Sequence, residues 1–389
     1  MTRLLPFLLA LLVADLAAAS ETNATLVGIT FSNAAPVAFK GLWKGRSNSA
    51  RSNRLDGARG LGEQTETAVL SGLRWLVANQ NPNGSWGFKA DECEASTGVA
   101  LLAFFGHGET PASMEFGKTV EGGLKYLASL QKTTNHLDRT EPTAVSHAIA
   151  TWALCEGYAL TSIPHLTTPT EVGLAVILKG QRPSGLWGGA YQLDGGREDM
   201  ESSIWQVLAL HSGIMSGRKL EGLQNCHDKA MAGMEKALEA NPDLVTKAGL
   251  VFCMQLCGQG RKPIVRTAVA DLSLTPDWDD PSVEDPIFRW FLTTHAIFQN
   301  GGKPWMTWSR QFTPMLVNHQ TIEDGSGGKT VGCWDSPGKN ERFGRVYATA
   351  LSLMMLEVHY QGSLLNRYPL YEHEQVPAST NDAVIKIEF

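Results

Sequence analysis

Two kinds of apolar segment alternate along this 389-residue chain. The first kind is amphipathic and runs into a glutamine. Gly72-Leu73-Arg74-Trp75 leads to Gln80, Gly123-Leu124-Lys125-Tyr126 to Gln131, and Gly173-Leu174-Ala175-Val176 to Gln181, with steps of 51 and 50 residues between the glutamines. The second kind is apolar nearly all round: Thr97–Phe104, Ser146–Leu154, Ser203–Leu210, Thr246–Phe252, Phe288–His295 and Tyr347–Met354. A repeat on this scale is one supersecondary unit used again and again. Ser or Thr ahead of an apolar run signals a helix N-cap. A helix with no polar face belongs inside, and one with a charged face belongs outside. The pattern therefore predicts six inner helices ringed by six outer ones, with the outer helices near 228–239 and 263–273 the least regular.

The residues after the glutamines sharpen the expectation. Gln80-Asn81-Pro82-Asn83-Gly84-Ser85-Trp86 and Gln181-Arg182-Pro183-Ser184-Gly185-Leu186-Trp187 share the pattern Q-x3-G-x-W, and Gln320 with Gly332-Cys333-Trp334 is a stretched third copy. Glycine permits a sharp turn after a helix, and tryptophan offers a flat apolar surface with one N–H donor to satisfy. These phrases resemble the QW motifs of squalene–hopene cyclases. The stretch from Glu63 to Tyr360 resembles exported bacterial proteins with prenyltransferase and squalene oxidase repeats, on Asp199-Met200-Glu201-Ser202-Ser203-Ile204-Trp205-Gln206, Gly301-Gly302-Lys303-Pro304-Trp305 and Val346-Tyr347-Ala348-Thr349-Ala350-Leu351. The resemblance implies an all-α (α/α)6 toroid over residues 63–361. It implies no single activity, because this fold carries several.

Composition narrows the function classes. A net charge of −6 and the absence of aromatics among clustered Lys and Arg exclude a nucleic-acid partner. Met1-Thr2-Arg3, the apolar run Leu4–Ala14 and Ala17-Ala18-Ala19 read as a signal peptide over 1–19, so the mature protein is expected in the periplasm or secreted, with no transmembrane segment after cleavage. Residues 20–62 read as a basic linker and 362–389 as a tail without periodicity. The spacings of Cys93, Cys155, Cys226, Cys253, Cys257 and Cys333 form no tight disulfide framework, and most are expected as buried thiols.

Three chemistries of the resembled fold can be sought in the letters. Acid-initiated terpene cyclisation uses D-x-D-D, whose central Asp must be kept protonated by its surroundings. Asp277-Trp278-Asp279-Asp280 has the four letters but is followed by Pro281, while Asp199 and Glu201 stand directly before an inner helix. Asp199, Glu201 and Asp279 are the candidate catalytic acids. Zinc-dependent prenyl transfer uses D-x-C and a histidine one repeat later, which nominates Asp91, Cys93 and His147 as metal ligands. The thioester run Gly-Cys-Gly-Glu-Gln is absent, as is a G-x-S-x-G elbow. His211 and His295 lie within helical runs and read as satisfied core or cavity residues.

Trp152, Trp205, Trp290 and Tyr347 on inner helices are candidate ligand-cavity residues, or fillers of the interfaces between hairpins. No cofactor is expected, with zinc the one alternative. The favoured reading is a binding or scaffold toroid for an apolar lipid or isoprenoid, a glycan or a protein partner. Its rival is an isoprenoid-processing enzyme.

Overall fold

The computed structural model describes residues 25–26, 29–30, 61–88, 90–133, 144–191, 197–272, 275–278, 285–337 and 343–358. The expected leader (1–19) and tail (362–389), and nearly all of the basic linker, lie outside these residues. Among the described residues there are twelve α-helices: α1 (Leu61–Ala78), α2 (Ala90–His107), α3 (Gly117–Thr133), α4 (Ala144–Thr161), α5 (Thr167–Lys179), α6 (Met200–Met215), α7 (Leu223–Glu239), α8 (Leu244–Leu256), α9 (Pro263–Asp271), α10 (Pro286–Asn300), α11 (Gly302–Asn318) and α12 (Gly344–Leu356). A two-residue pair, β1 (Thr25–Leu26) and β2 (Ile29–Thr30), precedes them, and the antiparallel ribbon β3 (Thr321–Asp324) and β4 (Thr330–Cys333) separates α11 from α12.

The even-numbered helices form the inner ring. Each packs on the next, from α2 through α4, α6, α8 and α10 to α12, and α12 packs back on α2. The ring is therefore closed, and the fold is an (α/α)6 toroid. The inner helices are buried on almost every side: in α4 only Tyr158 and Ala159 reach solvent. The odd-numbered helices bury one face and expose the other, as α7 and α11 do. All inner helices start at one end of the ring, here the leading rim, and finish at the other, the trailing rim.

The Q-x3-G-x-W phrases are the joints between outer and inner helices. The Trp86 indole donates to Leu76 O of α1 at 2.7 Å, and the Trp86 backbone N–H donates to Thr97 Oγ1 of α2 at 3.0 Å. Trp187 repeats this with Ile177 O (2.8 Å) and Ser203 Oγ (3.0 Å). Trp334 repeats it with Leu316 O (2.7 Å) and Thr349 Oγ1 (3.1 Å). All three tryptophans are fully buried, so each donor needs the partner it has. The glutamines bridge sideways to the next outer helix: Gln80 Nε2 to Thr119 O, Gln181 Nε2 to Cys226 O, and Gln320 Nε2 to Ala68 O, at 2.8–2.9 Å. The last of these ties the end of α11 to α1 and so staples the closed ring. Gln131 has no Gly-x-Trp after it and lies within α3.

One local expectation is corrected. Thr97, Ser203 and Thr246 are not helix caps. The helices begin earlier, with Asp199 capping α6 and Asp243 capping α8. Thr97 lies inside α2 and Ser203 inside α6, where their hydroxyls are the acceptors that hold the joint tryptophans. The residue type marked a backbone-binding role; the partner was a different backbone group.

Gly185 turns the chain at φ +90°, and a Cβ there would stand 2.1 Å from Lys229 O. Gly217 also has positive φ (+79°), with nothing within 4 Å of the same position. Gly185→Ala is therefore expected to cost roughly 2–4 kcal/mol of unfolding free energy, and Gly217→Ala about 1 kcal/mol. Denaturant titration of both variants separates the crowding at the joint from the backbone conformation that the two sites share.

Candidate functional site

Aromatic side chains cluster between the inner helices. Trp205 on α6 is fully buried, packs against Trp152 of α4 at a ring distance of 5.9 Å, and stacks on Phe288 and Phe291 of α10 at 5.6 and 5.7 Å. α6 and α10 are not neighbours in the ring, so this cluster reaches across α8. Gly249 of α8 makes the reach possible: a Cβ there would fall 2.2 Å from Ile204 Cδ1 and 3.3 Å from Leu292 Cδ1. Trp152 is tied to Glu156 by an indole N–H to Oε1 bond of 3.2 Å. Trp290 and Tyr347 are also buried, Trp290 against Trp278 and Phe312, Tyr347 against Phe343. The four aromatics named from sequence thus pack within the ring and on the entrances to α10 and α12.

The candidate acids stand apart from one another in role. Asp199 is the N-cap of α6, its Oδ1 accepting from Ser202 N–H at 2.6 Å. Glu201, in the first turn of α6, is half-buried. Asp279 lies outside the described residues. Asp277 is exposed at the leading rim.

The D-x-C and histidine set is drawn into a different network. His147, fully buried near the start of α4, has Nδ1 2.6 Å from the Tyr191 hydroxyl. The Gln206 amide donates to that same phenol oxygen at 2.8 Å and to Ala144 O at 3.0 Å. With the phenol oxygen accepting from Gln206, its proton falls to His147 Nδ1, while Thr151 Oγ1 stands 3.4 Å from Nε2. Burial, the largest cause, keeps the Tyr191 phenol protonated well above its ordinary range, and the nearby Glu94 adds to it. Cys93 and Glu94 are buried, and both help burial push Tyr126 up to about 12. The Asp91 side chain is outside the described residues.

The trailing rim brings together groups that the sequence pattern leaves apart. Arg218, after α6, donates to Glu171 Oε1 (3.2 Å) and to the Tyr158 hydroxyl (2.6 Å), its guanidinium 4.1 Å from the Tyr158 ring centre. Beside it, His211 at the end of α6, His227 in α7 and Cys257 just after α8 converge, their ligand atoms all within 4.8 Å of one another. Burial, with His227 next to it, lowers His211 to about 4, and burial also lowers His227 and raises the Cys257 thiol. His211 and Cys257 are 46 residues apart, close to the repeat step. Overlaying successive inner helices would have paired them. None of the six cysteines is joined in a disulfide.

A third feature stands at the leading rim. Three rings stack outward: buried Trp290, then Trp278 at 5.1 Å, then His319 at 4.3 Å and 13° from parallel. His319 is exposed, and its Nδ1 donates to Met315 O at 2.8 Å, which fixes the ring plane. Phe88, leading into α2, is 97% exposed.

The chain shares its fold with an α-1,6-mannanase, GH76A of Salegentibacter sp. HEL1_6, solved as an inactive variant with two aspartates changed to asparagine and in complex with α-1,6-mannotriose. The TM-score is 0.54 at 12% identity, over 77% of this chain and 99% of that one. At that identity the likeness is one of fold. No family profile matches the sequence, and no curated protein matches it. The resemblance to cyclase repeat proteins therefore rests on its sequence phrases, while the toroid stands on the structure.

Buried His295 gives a pH signature. Its Nδ1 donates to Phe291 O at 2.8 Å, and burial lowers its pKa to about 4. The folded state thus holds the neutral ring, while the unfolded chain takes up a proton near pH 6.5. The stability this group contributes is complete above pH 6.5 and is lost as pH falls towards 4, at up to about 1.4 kcal/mol per pH unit. His295→Gln is expected to flatten that part of the stability–pH curve measured by denaturant titration.

Proposed function

We propose that this protein is a glycan-binding toroid whose contact surface is the leading rim, at the step formed by Trp278 and His319. The observation that carries the reading is the stack from Trp290 through Trp278 to His319, which ends in an exposed ring held in a fixed plane. A flat aromatic face receives the C–H face of a pyranose, and nearby polar groups orient its hydroxyls. Asp277 is exposed beside Trp278 in the chain, and Arg197 and Glu198 are exposed at the same rim. Phe88 adds a second solvent-facing ring. Support of another kind is the mannotriose held by the structural neighbour.

Binding is favoured over turnover. Asp199 is engaged as the cap of α6, its Oδ1 accepting from Ser202 N–H. Trp205, a candidate cavity residue, is committed to packing on Trp152, Phe288 and Phe291, which argues against its facing an isoprenoid substrate.

The test is calorimetric titration of the mature chain with α-1,6-linked mannooligosaccharides and a panel of other neutral glycans. Binding to at least one is expected, weakened tenfold or more by His319→Ala and by Trp278→Ala, with His319→Ala leaving the melting temperature unchanged. Retained affinity in both variants, or no binding across the panel alongside retention of an isoprenoid lipid, sinks the proposal.

A further inference from the structure

We propose that His211, His227 and Cys257 form a zinc-class metal site on the trailing rim, with a fourth position left for water. The three side chains come from three elements: the last turns of α6, the first turns of α7, and the residue just after α8. Their ligand atoms lie within 4.8 Å of one another, and it is the set among the described residues whose geometry would hold an ion. His211 Nδ1 and Cys257 Sγ are 3.7 Å apart. A tetrahedron built on Zn–N of about 2.0 Å and Zn–S of about 2.3 Å has an N–S edge of about 3.5 Å, so the pair already stands at coordination distance. The His211 and His227 rings are 6.5 Å apart between centres, which leaves room for an ion between two edge nitrogens.

Three further observations support the assignment. Asp228 Oδ1 stands 3.5 Å from His227 Nδ1. A carboxylate behind a ligating imidazole fixes its tautomer and orientation, and Nε2 is then the ligating atom. Two imidazoles and one thiolate select a borderline-soft ion, zinc before magnesium or calcium. His211 and Cys257 are both partly exposed, so an ion can enter and water can complete the tetrahedron. Three protein ligands and a water are the arrangement of zinc sites that do more than hold a fold. On binding, the Cys257 thiol gives its proton to solvent and the sulfur takes the metal.

This site is distinct from the set expected from sequence. Cys93 and His147 belong to the leading end, and His147 Nδ1 is taken by Tyr191. It is also independent of the glycan reading, which concerns the opposite rim.

The experiment uses the full mature chain, stripped with a chelator and titrated with cobalt(II) and then zinc. Expected are one ion per chain, a thiolate-to-cobalt charge-transfer band, its replacement by zinc, and a rise in melting temperature. Cys257→Ser should abolish the band. His227→Gln, a substitution on the outer helix α7, should weaken cobalt binding at least tenfold while leaving the metal-free melting temperature in place. Cys93→Ser should change neither. Absence of the band, its survival in Cys257→Ser, or its loss in Cys93→Ser overturns the assignment. A plain hydrogen bond from the Cys257 thiol to His211 then accounts for the 3.7 Å contact.

Discussion

The ring stands on a hydrogen bond between a tryptophan indole and the carbonyl of the outer helix that precedes it. Trp86, Trp187 and Trp334 each make it, and each sends its backbone N–H to a hydroxyl inside the next inner helix. One residue thus fixes two helices at once, at a point closed to water. An unmade bond at such a place costs about 1–3 kcal/mol, so angle and register are set together. The glutamine before each tryptophan adds the sideways tie to the next hairpin. The leading rim, where these joints lie, takes its form from them.

The two rims have different characters as a result. The leading rim receives the chain after the joints, through longer connections that carry the aromatic step of Trp278 and His319. The trailing rim is made by short turns, and helix ends stand close together there. That is where Arg218 finds Glu171 and Tyr158, and where His211 meets Cys257. The aromatic cluster at Trp205 lies between them, within the inner helices. A single scaffold therefore presents two unlike groups of side chains on opposite sides.

The architecture was legible because it is periodic. Glutamines 51 and 50 residues apart, and apolar runs without a polar face, specify alternating outer and inner helices. The joint tryptophans were legible as structural parts, since a large ring with one donor suits a closed corner. Contacts between repeats were harder to read. The phrase around Asp91, Cys93 and His147 matched a pattern of letters, yet Tyr191 on the approach to α6, itself held by Gln206 of α6, pairs with His147. Nothing in the local spacing announces Tyr191. His227 belongs to an outer helix of irregular pattern, so its arrival beside His211 depends on the tilt of α7, which no spacing encodes. Thr97 and Ser203 show the intermediate case, where the residue type signalled a bond to backbone and the fold chose the partner.

The bond from Gln320 to Ala68 joins residues 252 positions apart, and it constrains the order in which the molecule can assemble. The seam where α12 meets α2 has no substitute elsewhere, because an unclosed crescent leaves two apolar helix faces open to water. Closing so long a loop is entropically slow but adds little cost beyond that of a loop half as long. The final hairpin therefore acts as a latch. Until it arrives the chain is an arc with sticky ends. Afterwards it is a ring, with α12 packed on α2 as every other inner helix packs on its neighbour.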